Sequence, residues 1–238
     1  MSRCALLLLF ALTLSACGFN QTTVEGWPDV DLGATEVIEY KATNQRPLHL
    51  HVFAPANSEP TGAVLFFHGG GFRTTRIPQF AHQAQAVADA GFVGVVAEYR
   101  VTAEGTRRRD AVDDGSDALT FLNENAAQYG IDSDRIAMAG SSAGGALAVE
   151  AGRNSDAFVL FNPAVSSSDR DFVGSQPTIV FHSRQDQVVA FEFAEGFCDA
   201  VSNCDMVAFD EGDHGFFNDE PALTETTEAM IEFLEEEF

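Results

Sequence analysis

The chain has 238 residues, of which 45% are hydrophobic and 11% aromatic, enough apolar material for one domain with a full core and too much for a disordered chain. Lys and Arg number 13 against 36 Asp and Glu, a formal net charge of −23. That excess of acid excludes a polyanionic partner such as nucleic acid, and it gives no electrostatic help at an anionic lipid surface.

The chain opens as an export signal. Met1-Ser2-Arg3 carries a positive charge, and Ala5 to Leu14 is an almost unbroken apolar run. Ten residues make a helix of about 15 Å, too short to span a bilayer and suited to a signal-peptide core. The run ends in Leu14-Ser15-Ala16-Cys17, which resembles a bacterial lipobox. The resemblance implies a signal peptide over 1–16, a lipid on Cys17 and a tether over 17–35. Gly18 follows the cysteine where inner-membrane retention favours aspartate, so the expected address is the outer membrane. Cys4 leaves with the signal, and Cys198 and Cys204 remain as a pair expected to form a disulfide in an oxidising compartment.

From residue 36 the pattern alternates strand and helix. Leu48, Leu50 and Val52 alternate with His49, His51 and Phe53, reading as an edge-type strand. Ala63–Phe67 is continuously apolar, as a strand buried on both faces requires. A helix is predicted over Pro78–Ala90, stopping at Gly91, then a strand over Phe92–Ala97. Asp110–Tyr129 reads as an acidic helix with Ala118, Leu119 and Leu122 inward. Arg135–Ala139 reads as a strand and Ser142–Glu150 as a small-residue helix. Further strands are predicted at 157–161, 178–181 and 206–209, with helices from about Ala190 and Thr224. This alternation predicts a single α/β domain over 36–238, an open and mostly parallel sheet covered on both faces.

Three strand ends carry the chemistry. Gly140-Ser141-Ser142-Ala143-Gly144 follows one predicted strand and opens a helix, the setting that the G-x-S-x-G pattern needs. Small neighbours let strand and helix approach closely around the middle serine, Ser142, and the helix start directs free N–H groups at charge developing beside it. His68-Gly69-Gly70-Gly71-Phe72 follows the buried strand at 63–67. Three consecutive glycines cost folding entropy, which points to a backbone that approaches a ligand. Asp186 follows the strand at 178–181, and His214 the strand at 206–209. A histidine takes the serine proton and a carboxylate fixes its tautomer, so Ser142, Asp186 and His214 are the candidate triad. His182 and His68 are read as packing and bracing residues, and Glu98 as a brace for the glycine loop. Arg107-Arg108-Arg109 reads as a solvated loop offset by Asp110, Asp113 and Asp114, with contact to an acidic sugar as the alternative. The sequence shows no metal-ligand spacing and no nucleotide-binding glycine loop, so no cofactor is expected.

The order Ser142, Asp186, His214 matches the α/β-hydrolase order. Together with HGGGF, AEYRV, GSSAGG, FVLFNP, PTIVFHSRQDQVV and DHGFFN, the chain resembles HGGG-bearing esterases related to hormone-sensitive lipase, and a bacterial group of acetyl-xylan and feruloyl-type esterases. The resemblance spans about residues 48–238. It implies an oxyanion hole from the backbone amides of Gly70, Gly71 and Ala143. It also implies a serine carboxylesterase acting on a small-molecule or carbohydrate ester, with short-chain acyl esters, acetyl or feruloyl groups on carbohydrate, favoured. Only thirteen residues separate Pro163 from Pro177, which leaves no room for a helical lid, and the short N-terminal segment cannot form a large cap. The competing readings are a serine peptidase or short-chain lipase of the same fold, and a non-catalytic surface lipoprotein.

Overall fold

The structure, a computed structural model, describes residues 31–56, 59 and 61–238. The expected signal peptide and Cys17 lie outside the described residues. Eight strands form one sheet: β1 (Glu36–Lys41), β2 (Leu48–Phe53), β3 (Thr61–Phe67), β4 (Val93–Ala97), β5 (Ile131–Ser141), β6 (Ala157–Phe161), β7 (Thr178–Ser183) and β8 (Cys204–Phe209). Their order is β1-β2-β4-β3-β5-β6-β7-β8. The β1–β2 and β2–β4 pairs are antiparallel and the remaining pairs parallel.

The continuous apolar runs of the central strands divide by the period of two that a pleated strand imposes. Ala63, Leu65 and Phe67 of β3 face one core, and Val64 and Phe66 the other. Helices α2 (Arg108–Asn125), α3 (Ala143–Ala151) and α4 (Phe191–Ala200) cover the first core. Helices α1 (Ala81–Asp89) and α5 (Ala222–Glu237) cover the second. Burying each Leu, Val or Phe fully in such a layer stabilises it by about 1.5–3 kcal/mol. The connection from β6 to β7 carries a 3-10 helix, Ser167–Phe172, and no helical insertion.

The N-terminal half departs from the sequence reading in several places. Strand β1 was not expected; Ile38 and Tyr40 turn inward against the core while Val37 stays exposed. Its presence moves β2 from the edge to second position, and His51 and Phe53 are buried. Ahead of β1, the Thr35 N–H donates to the Val52 carbonyl at 2.7 Å, and Leu32 and Ala34 rest on the second core. Residues 77–80 form a 3-10 turn before α1, and Ala126–Tyr129 form another after α2.

The arginine run opens α2 instead of forming a loop. Arg108 pairs with Glu150 and sits 5.1 Å over the Phe72 ring, while Arg109 reaches Asp113 at 3.8 Å. Asp110 accepts the Arg107 N–H at the helix start. Asp114 does not offset this run. It is fully buried and accepts Arg100 Nε at 2.8 Å, Arg100 Nη2 at 2.6 Å and Lys41 Nζ at 2.5 Å. The sole lysine of the chain thus fastens the end of β1 to α2. A second buried cluster joins Arg46 to Glu98 and Glu104, with His51 Nε2 3.2 Å from Glu98. Burial pushes the Glu98 carboxyl up, but hydrogen bonds from His49 and His51 and the Arg46 charge outweigh it and hold the carboxyl well below the usual range. Glu98 therefore serves this cluster and not the glycine loop, because its side chain points toward β2.

Cys198 at the end of α4 and Cys204 at the start of β8 form a disulfide. No helix among the described residues is long and apolar enough to cross a membrane.

Candidate active site

Strand β5 ends at Ser141 and α3 starts at Ala143, so Ser142 alone makes the turn. Its backbone lies at φ 50° and ψ −119°, a region that side chains rarely occupy. The close approach around it explains the glycines. A Cβ on Gly144 would sit 2.1 Å from the Phe67 carbonyl oxygen, and one on Gly140 would sit 2.4 Å from that of Gly144. Only glycine lets α3 rest this near the ends of β3 and β5. The Ser142 carbonyl accepts the N–H groups of Ala146 and Ala164, which hold the turn in place.

Asp186 lies three residues beyond β7 and is 7% exposed. Its Oδ1 accepts the N–H groups of Val188 at 2.7 Å and Val189 at 3.0 Å. Its Oδ2 accepts His214 Nδ1–H at 2.6 Å. With both oxygens occupied, the carboxylate has one orientation, and so has the imidazole it holds. Ser142 and His214 line one cleft of about 400 Å³, together with Gly69, Gly70, Gln79 and Val188.

The glycine loop forms another wall of this cleft. Gly70 has φ 124° and Gly71 φ 63°, both in the left-handed half of backbone space that favours glycine. The Gly70 carbonyl accepts from Arg73 and Thr74, closing the loop. Among the described residues, the N–H groups of Gly70, Gly71 and Ala143 have no acceptor.

Four residues that support the site escaped the sequence reading. Tyr99 donates its hydroxyl to the His68 carbonyl at 2.7 Å and stacks on the His68 ring at 4.3 Å. Tyr99, rather than its neighbour Glu98, is the brace of the loop. Asn162, at φ 39°, accepts the Ser183 N–H at 3.0 Å and donates to the His214 carbonyl at 2.9 Å. It thereby joins the ends of β6 and β7 to the histidine loop. Ser183 donates its hydroxyl to the Gly212 carbonyl at 2.5 Å. Gln79 accepts from Gly69 and Ser141. The signal for Asn162 was its place between a buried strand and Pro163; nothing in the pattern marks Gln79 or Ser183.

The remaining histidines near the site are neutral and buried. His68 donates Nδ1–H to the Gly69 carbonyl at 2.6 Å, and burial lowers its pKa to about 4. Burial likewise lowers that of His182, whose Nε2 lies 3.0 Å from the Val189 carbonyl. Among the described residues, no group of three or more His, Cys, Asp or Glu side chains is arranged to hold a metal ion.

Comparison with known proteins places the chain among esterases of this fold. The BD-FAE family model matches residues 50–172. The ethyl acetate hydrolase of Pseudomonas putida is 33% identical over 105 residues, 42% of this chain and 33% of that protein. The carboxylesterase NlhH of Mycobacterium tuberculosis is 32% identical over 109 residues, 45% of this chain and 34% of that protein. The chain thus spans about a third of the length of these curated relatives. Among solved structures, Thermogutta terrifontis esterase 2 phosphonylated by cyclosarin superposes with a TM-score of 0.80 at 29% identity, covering 87% of this chain and 95% of that one. The family model matches just over half of this chain, so the chain belongs to the BD-FAE family, within the α/β-hydrolase esterase group.

Proposed function

We propose that the protein is a serine carboxylesterase with Ser142 as nucleophile, His214 as base and Asp186 as the group that orients it. The observation that carries this reading is the 2.6 Å hydrogen bond from His214 to Asp186 at a cleft that also exposes the strained Ser142. Ser142 Oγ attacks the ester carbonyl carbon while His214 Nε2 takes its proton, and Asp186 stabilises the imidazolium. The carbonyl oxygen becomes an oxyanion that accepts hydrogen bonds from the amides of Gly70, Gly71 and Ala143; one such donor lowers a barrier by about 3–4 kcal/mol. His214 then protonates the departing alcohol oxygen. In the second half it takes a proton from water, the water oxygen attacks the acyl carbon, and Ser142 leaves with the proton returned from His214.

The acyl group is short and the alcohol a carbohydrate. The cleft is open and the β6–β7 connection carries a 3-10 helix in place of a helical lid, which suits a short acyl group. Its polar side chains Arg76, Gln79, Gln187 and Asn218 suit a polyhydroxyl alcohol. Acetate and ferulate release from acylated polysaccharide, beside p-nitrophenyl esters of rising length, tests this. The reading predicts a maximum from acetyl to butyryl, and a maximum on long-chain esters would contradict it.

Export and a lipid on Cys17 complete the proposal, with the enzyme held at the outer membrane. The support is Leu14-Ser15-Ala16-Cys17 after an apolar run. Two or three acyl chains anchor stably where one is marginal. Metabolic palmitate labelling is expected in the wild type and absent in Cys17→Ser; an unlabelled wild type would overturn it.

A further inference from the structure

We propose that Gln79 is a positioning residue that sets the distance between the oxyanion amides and the nucleophile. A single oxygen, Gln79 Oε1, accepts the Gly69 N–H at 2.6 Å and the Ser141 hydroxyl at 3.0 Å. Gly69 precedes the two glycines whose amides are free, and Ser141 precedes the nucleophile. The side chain therefore joins the two halves of the site one residue back from each reacting group. There is little slack between them. A Cβ on Gly69 would lie 2.9 Å from Ser141 Oγ and 3.4 Å from Ser142 Cβ.

The joint is held from a rigid base. Gln79 sits on the 3-10 turn Ile77–Phe80, whose two apolar ends are buried. Phe80 packs against Phe66, Phe161 and Phe217, with ring centroids 5.1, 5.4 and 5.6 Å away. These rings belong to β3, β6 and the segment after His214, so the turn is referenced to the sheet itself. A loop of three glycines has many alternative conformations, and the amides at 70 and 71 act only if they wait in the transition-state geometry. Accepting twice also fixes the carboxamide orientation, because the amide nitrogen cannot take the place of Oε1 opposite two donors.

The inference rests on the serine-esterase reading above. Its consequence is a loss in kcat with KM kept, since loop misplacement weakens hold on the oxyanion and not on the ester. Gln79→Met keeps the length and removes the acceptor. It is expected to lower kcat on p-nitrophenyl acetate on the order of 10- to 100-fold with KM within about twofold. Phosphorylation of the serine by a diethyl p-nitrophenyl phosphate triester should slow in the same proportion. Ser141→Ala removes one of the two donors and is expected to cost less, about 3- to 10-fold in kcat. The double variant should be no slower than Gln79→Met, because both substitutions break the same joint. A Gln79→Met kcat within twofold of wild type, a loss carried by KM, or independent multiplication in the double variant would overturn the proposal. If Gln79→Met does not fold, Ser141→Ala decides alone, and unchanged kcat there overturns it. Ser142→Ala run alongside separates the two readings: activity surviving in that variant ends the esterase reading, whereas its loss with active Gln79 variants ends only this one.

Discussion

His214 Nδ1 donates to Asp186 Oδ2 at 2.6 Å, and Asp186 receives two further backbone N–H groups from residues 188 and 189. The geometry leaves His214 Nε2 as the nitrogen available to a proton from Ser142. Asp186→Asn keeps the shape but offers an N–H where an acceptor is needed, which favours the wrong tautomer. The expected result is a kcat lower on the order of 10³- to 10⁴-fold with the fold retained. Steady-state kinetics on a short p-nitrophenyl ester, with circular dichroism of the variant, checks it.

Asn162 is fully buried and holds both the Ser183 N–H and the His214 carbonyl. Asn162→Ala leaves those two groups without their partner, at about 1–3 kcal/mol each where they are buried. It also places alanine at φ 39°, which glycine and asparagine tolerate better. Chemical denaturation should show a stability loss of about 2–4 kcal/mol. The kcat should fall as well, because the histidine loop loses its tie to β7. A variant with wild-type stability would show that the asparagine bridge is idle.

The glycine loop carries a pH dependence through His68. Burial lowers its pKa from 6.5 to about 4, so the folded protein keeps the ring neutral where the unfolded chain protonates it. The contribution to stability is full above pH 6.5 and is lost as pH falls to about 4, amounting to about 3 kcal/mol. His182 is displaced in the same sense, and His49, raised by its hydrogen bond to Glu98, in the opposite one. His68→Asn retains a donor for the Gly69 carbonyl and removes the titration. Urea midpoints of both proteins between pH 7 and pH 4 should converge as pH falls. Parallel curves would show that His68 does not titrate as its burial requires.

The proposed triad residues stand out in the sequence because each sits at a strand end marked by a strong local pattern. GSSAG needs glycines at 140 and 144 for backbone clearance, and the parallel strands needed apolar runs on both faces. The supporting residues were less visible because their roles depend on long-range proximity. Gln79 touches Ser141 across 62 positions, and Tyr40 reaches the Glu98 carbonyl across 58. Strand β1 hid for a different reason. It packs on one face only, so Glu36, Val37 and Glu39 remain exposed and the segment reads as polar. Asp114 looked like a helix-surface acid, and only the fold brings Lys41 and Arg100 to it.

Covalent catalysis at Ser142 is the step on which the proposed activity depends. The direct measurement compares wild type with Ser142→Ala for turnover of p-nitrophenyl acetate and for labelling by a fluorophosphonate probe. One label per chain is expected in the wild type and none in the variant, with kcat lower on the order of 10⁴-fold or more and the circular dichroism spectrum unchanged. Near-normal turnover by the purified Ser142→Ala protein would contradict it.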